Sequence, residues 1–123
     1  MRIPRKVYAI QHNTTKKMYI GSSHDVEKRY KSHIWALRGG KHTVPDMQAD
    51  FDEHGEDYSV FILDEITCYS EKGLEYEWMR KYQTVDRRYG YNYKDKERVI
   101  SHAINFVPYK EGLPVSITEG ENL

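Results

Sequence analysis

Cysteine is almost absent from this chain: Cys68 is the single one among 123 residues. One thiol closes no intramolecular disulfide and builds no Cys-rich zinc site, and the apolar and aromatic residues around it imply burial. Long hydrophobic runs are lacking as well. The longest, Val60 to Leu63, falls far short of the roughly 20 residues a membrane span requires, so no membrane partner is expected. Residues 1–20 place Arg2, Arg5 and Lys6 before a stretch interrupted by Gln11, His12 and Asn13, leaving no apolar segment of a secretory signal. A soluble, cytoplasmic protein is the expectation. Four prolines and eight glycines are too few for a collagenous or linker-dominated chain. Net charge is missing too, since nineteen Lys and Arg meet nineteen Asp and Glu.

What is present argues for a single folded domain. Aromatic residues make up 13% of the chain and include eleven tyrosines, which excludes disorder, while 38% hydrophobic residues support one modest core. The balanced charge conceals a gradient. Residues 1–50 carry ten Lys or Arg against four Asp or Glu, residues 51–93 carry five against ten, and residues 94–123 carry four against five. Attraction to a phosphate backbone depends on local potential, so a basic first segment on a neutral protein still suits nucleic acid. Two solvated faces produced by composition alone are the competing reading.

Lys6 to Gln11 and Lys17 to Gly21 read as strands of a hairpin joined by the polar segment His12 to Lys16. Asp25 to Arg38 places Val26, Tyr30, Ile34 and Leu37 on one helical stripe, ended by Gly39 and Gly40, with Arg29 and His33 one turn apart on its flank. A second helix is expected over Pro45 to His54, with Met47 and Phe51 inward and Gly55 as its stop. Tyr58 to Ile66 reads as a buried strand. Ser70 is positioned to cap a third helix from Glu71 to Gln83, with Leu74, Trp78 and Tyr82 on its apolar stripe. A further helix is expected within Asp95 to Asn105. Glu77 lies three residues after Leu74, so it is expected on the inner face with Glu75 pointing elsewhere. A carboxylate there needs a cation or a proton, which leaves a structural salt bridge and a functional carboxylate both open. His12, His24, His54 and His102 lack the spacing of a transition-metal site.

The segments Val7-Tyr8-Ala9-Ile10 and Met18-Tyr19-Ile20-Gly21-Ser22, with eleven residues from tyrosine to tyrosine, form a two-part motif. Glu27-Lys28-Arg29-Tyr30-Lys31-Ser32-His33 follows, then His42-Thr43 with Gln48, Phe51, His54 and Gly55, then Glu77, then Gly90-Tyr91-Asn92. This order resembles the GIY-YIG nuclease superfamily, most closely the catalytic domain of phage homing endonucleases, over about Lys6 to Tyr93. Lys6 stands where the family has its first glycine. The resemblance implies an α/β (α+β) fold, a small three-stranded, mainly antiparallel sheet flanked by helices. It implies a catalytic domain over residues 1–94, with residues 95–123 as an extension packed on or trailing from it.

The implied function is a divalent-metal-dependent DNA endonuclease in a bacterial or phage-infected cell. Tyr8, assisted by Tyr19, would orient or deprotonate the attacking water, and Arg29 would clamp the phosphate, for which its planar fork is suited. Glu77 would hold Mg²⁺ or Mn²⁺, whose hard charge stabilises the departing oxygen. His33, His42, Asn92 and Lys28 would bind substrate or support the site. A free phenol is a weak base at neutral pH, and Arg29 with a metal is expected to lower the pKa of Tyr8. Sheet packing for the tyrosines and simple solvation for Lys28, Lys31 and Lys41 are the plainer alternatives. A non-cleaving nucleic-acid-binding module on the same scaffold, and a nuclease for RNA or branched structures, are the competing functions. The residues after Asn92 are too few for a long-site DNA-recognition region of ordinary size, which leaves a stand-alone nuclease, a catalytic fragment, and a homodimer or partner of a separate specificity subunit as the open alternatives.

Overall fold

The computed structural model describes residues 4–66 and 73–102. Strand β1 (Arg5–His12) turns through residues 13–17 into β2 (Met18–Ser23), followed by helices α1 (Val26–Arg38) and α2 (Pro45–His54). Strand β3 (Tyr58–Ile66), helix α3 (Leu74–Lys81), a short 3-10 turn (Tyr93–Asp95) and helix α4 (Lys96–His102) complete the order. The sheet has the order β2-β1-β3, and both pairings are antiparallel.

Strand alternation divides the core in two. Val7, Ala9, Met18, Ile20 and Phe61 face one side, where Met79 and Tyr82 from the α3 region and Val99 from α4 cover them. Tyr8 and Ile10 face the other side, against Ile34 and Leu37 of α1, Met47 of α2 and Tyr91. The extension therefore contributes Val99 to the same core as Met79.

Asp25 caps α1, its carboxylate accepting from the Lys28 amide at 3.1 Å, and Pro45 sits at the start of α2. His12 is fully buried at the end of β1 and holds the hairpin turn. Its Nδ1 accepts from the amides of Thr14 and Thr15 at 3.1 and 3.3 Å. The expected start of α3 at Glu71, its Ser70 cap and the burial of Cys68 lie outside the described residues. Within them, α3 begins at Leu74 after Gly73, whose φ of 90° favours glycine, and it ends at Lys81 rather than Gln83. None of the described helices is long and apolar enough to cross a membrane.

Candidate active site

Tyr8 and Tyr19 reach the same face of the sheet from adjacent strands. Tyr8 pairs with Gly21 and Ile10 with Tyr19, so the two tyrosines are diagonal neighbours with ring centroids 6.4 Å apart. A Cβ at position 21 would lie 2.7 Å from the Tyr8 hydroxyl and 3.0 Å from its Cζ. Tyr8 is fully buried and has no room to yield, so its phenol crosses β2 only because the facing residue has no side chain.

Helix α1 brings Arg29 and His33 to these tyrosines. With Val26, Tyr30, Ile34 and Leu37 turned to the core, residues 29 and 33 fall on the flank, and the Arg29 guanidinium interacts with the Tyr8 hydroxyl. His33 lies 4.7 Å from the Tyr19 ring, centroid to centroid, and its Nε2 is 3.3 Å from the Tyr8 hydroxyl. On its other side, His33 Nδ1 is 2.8 Å from His42 Nε2.

A backbone amide sets the polarity of this chain. Val44 N–H donates to His42 Nδ1 at 3.0 Å, so neutral His42 carries its proton on Nε2 and donates it to His33 Nδ1. His33 then carries its proton on Nε2 and donates to the Tyr8 oxygen. With His33 and Arg29 both donating to its oxygen, Tyr8 keeps its own O–H for whatever approaches from outside. Gln48 steadies the relay, accepting from the His42 amide at 3.1 Å and donating to the Leu37 carbonyl at 3.0 Å.

The electrostatics follow from burial. Desolvation, with Tyr19 adding to it and Arg29 opposing, pushes the Tyr8 phenol up to about 12. Without a metal, the loss of water outweighs the guanidiniums of Arg29 and Arg5. Burial also raises Tyr19 above the ordinary tyrosine range, with Arg29 opposing and Asp95 assisting. Burial, His42 and Arg29 bring His33 down to about 4, and burial lowers His42 as well. Both imidazoles are therefore neutral at pH 7, as the relay requires.

Helix α3 corrects the expectation for its two glutamates. Glu77 is exposed, with its charge near Arg80, whereas Glu75 is partly buried. Glu75 Oε1 is out of contact with water and makes no hydrogen bond among the described residues. The reason is helical phase: the inward face is centred on Met79 and Tyr82, and Glu75 lies one turn before Met79 while Glu77 lies across the helix from it. Met79 is the signal in the sequence that locates the inner face. Reading the phase from Leu74, at the first turn, misplaces it.

Asn92 is buried against β2, its Oδ1 accepting from the Ile20 amide at 2.8 Å and its Nδ2 donating to the Ile20 carbonyl at 3.0 Å. Lys28 stands exposed on the first turn of α1. Sequence alone singles out neither Arg5, a second positive charge acting on Tyr8 that also donates to the Ser22 carbonyl at 3.0 Å, nor Asp95, a negative charge acting on Tyr19. Both lie within three residues of motif positions, which is the only local signal they give. Among the described residues no three His, Cys, Asp or Glu side chains gather as a metal-binding group.

The sequence matches the GIY-YIG catalytic domain over residues 5–92. It is 33% identical over 91 residues to Intron-associated endonuclease 1 of Enterobacteria phage T4, which covers 72% of this chain and 36% of the phage protein. The chain thus spans about a third of that relative's length. Among solved structures it is similar to the catalytic domain of intron endonuclease I-TevI carrying a glutamate-to-alanine substitution. That match has a TM-score of 0.62 and 33% identity over 73% of this chain and 93% of the other. A structure of the catalytic domain of homing endonuclease I-TevI matches with a TM-score of 0.62 and 29% identity over 71% and 95% of the two chains. Motif order, strand order and the extent of these alignments agree, and over residues 5–92 this chain belongs to the GIY-YIG family.

Proposed function

We propose that the chain hydrolyses phosphodiester bonds of DNA with the help of a divalent cation. The carrying observation is the meeting of the Arg29 guanidinium with the Tyr8 hydroxyl at the end of a neutral histidine relay. Arg29 can present its fork to two phosphate oxygens, and the Tyr8 hydroxyl, held by His33, can position a water beside the phosphorus. With its proton retained at pH 7, Tyr8 orients that water rather than removing a proton from it. Tyr19 packs beside Tyr8, His42 orients His33, and Asn92 holds the strand that carries Tyr19. Lys28 supplies positive charge along the approach of the strand.

Glu75 is the residue that would hold the cation. A partly buried carboxylate with one oxygen lacking a partner fits a hard oxygen-seeking ion such as Mg²⁺ or Mn²⁺, which takes few protein carboxylates and keeps several waters. When bound, such an ion supplies charge that stabilises the departing oxygen. The relatives named as intron endonucleases support DNA as the substrate, and cytoplasm of a bacterial or phage-infected cell as the setting.

The test is cleavage of supercoiled plasmid, single-stranded DNA and RNA, each with and without Mg²⁺ or Mn²⁺, by the wild type, Glu75→Gln and Glu77→Gln. Plasmid is expected to be cut only with metal. Glu75→Gln should lose cleavage by orders of magnitude with its DNA affinity kept, and Glu77→Gln should retain cleavage. A fully active Glu75→Gln enzyme overturns the ligand assignment, and a folded wild type inert on every substrate favours the non-cleaving module.

A further inference from the structure

Helix α1 leaves one large aromatic side chain in water. Trp35 is 81% exposed, although Ile34 before it and Leu37 after it are buried. At 3.6 residues per turn, Trp35 falls away from the Ile34 and Leu37 stripe and shares an outer ridge with Lys28, Lys31, Ser32, Arg38 and Gly39. All of these are exposed. The acids that temper the ridge are Glu27, 3.8 Å from Lys31 with both side chains in water, and Glu56, which binds Arg38 at 2.7 Å. Arg29 and His33 occupy the adjoining flank of the same helix.

The chemistry of the ridge selects its occupant. An indole flanked by lysines beside a phosphate-binding arginine suits a nucleic-acid strand, which presents phosphates to the cations and flat base and sugar faces to the ring. A second copy docked by two-fold symmetry would bring Lys28 and Lys31 against the same positive ridge. The six-residue offset from Arg29 to Trp35 is about 9 Å along the helix and about 120° around it, so a strand that meets both passes over the edge formed by Lys28 and Ser32.

We infer that Trp35 is a DNA contact, its indole lying against a base or sugar of the strand whose phosphate Arg29 holds. The inference rests on the nuclease reading of the neighbouring site. It assigns to α1 a second role, gripping the strand beyond the cleaved bond on a surface outside the histidine relay.

The chain holds two tryptophans, and Trp78 is partly buried and donates to Asp64 at 3.0 Å, so Trp35 dominates quenching by acrylamide. The experiment titrates a short duplex into the full chain without divalent metal, comparing wild type with Trp35→Phe, Trp35→Leu and Trp35→Ala. Binding should protect Trp35 from acrylamide. Trp35→Ala and Trp35→Leu should raise Kd by about fivefold to a hundredfold, and Trp35→Phe should recover most of the affinity, since a flat ring rather than apolar area makes the contact. Unchanged Kd in the Ala variant, with Trp35 still quenched in a duplex that binds and is cut when Mg²⁺ is added, overturns this inference alone. Concentration-dependent protection without DNA, with no further protection on adding duplex, overturns it in favour of self-association. A wild type that neither binds nor cuts DNA overturns the nuclease reading and this inference with it.

Discussion

Asn92 does with one side chain what an added strand would do with its backbone. It is 1% exposed, and it pairs with both the amide and the carbonyl of Ile20, the residue between Tyr19 and Gly21 on an edge strand. Removing the amide leaves a buried donor and a buried acceptor unpaired, each costing about 1–3 kcal/mol. Asn92→Ala should therefore lower Tm by about 10 °C or more, measured by thermal melting, with cleavage falling as the strand loosens. A wild-type melting curve would show that the pairing contributes nothing. The candidate residues are legible in the sequence through the two-part tyrosine motif and the family resemblance it carries, while the helix period adds only that Arg29 and His33 share one flank. Two features are not legible. The choice between Glu75 and Glu77 turns on which face Met79 marks, and the direction of the histidine relay depends on the Val44 amide, a contact that no side-chain pattern encodes.

Among the elements, α1 is the one on which the site depends most, and its first turn is held by a single side chain. Asp25 accepts from the Lys28 amide, and its carbonyl accepts from the Arg29 amide at 3.1 Å. Replacing such a cap with alanine costs about 1 kcal/mol, so Asp25→Ala should lower Tm by roughly 4–8 °C. It should also speed hydrogen exchange at Lys28 and Arg29 ahead of the rest of the helix. Uniform protection along α1 in the variant would argue against the cap. This helix is readable from sequence because a long apolar stripe ends at a glycine pair. Helix α3 is less so, being short and entered through Gly73 in a left-handed conformation. The β-bulge where the β1–β3 register shifts between Val7 and Tyr8 is not readable at all, since the partner strand lies some fifty residues away in the chain.

At the scale of the molecule, the basic surface of α1 is confined to its first turns, because Glu56 neutralises Arg38 at the end of that helix. Lys28 and Lys31 project from α1, while Glu53, Glu56 and Asp57 are exposed where α2 hands over to β3. If about four cations meet phosphates, DNA affinity should fall on the order of a hundredfold between 50 and 200 mM salt, as counterion release requires. A flat dependence in filter-binding or anisotropy titrations would remove the basic-face argument. Acid should act on the fold itself, and its direction follows from the histidines. His33 is held at about 4 in the folded chain, and His12 and His42 are also lowered, all chiefly by burial. The unfolded chain, with histidines near 6.5, therefore binds more protons than the native one between these values. Their stabilisation is fully present above about pH 6.5 and is lost as pH falls toward 4, with His33 alone worth on the order of 3 kcal/mol. Protonating His33 also sets its Nδ1–H against the His42 Nε2–H, so the relay must break as the ring charges. Denaturant melts at pH 7, 6, 5 and 4 should show most of the loss above pH 4, before the paired carboxylates Asp46 and Glu56 titrate. His33→Gln should flatten that slope, and a stability unchanged from pH 7 to 4.5 in the wild type would mean that the imidazoles are not held neutral by the fold.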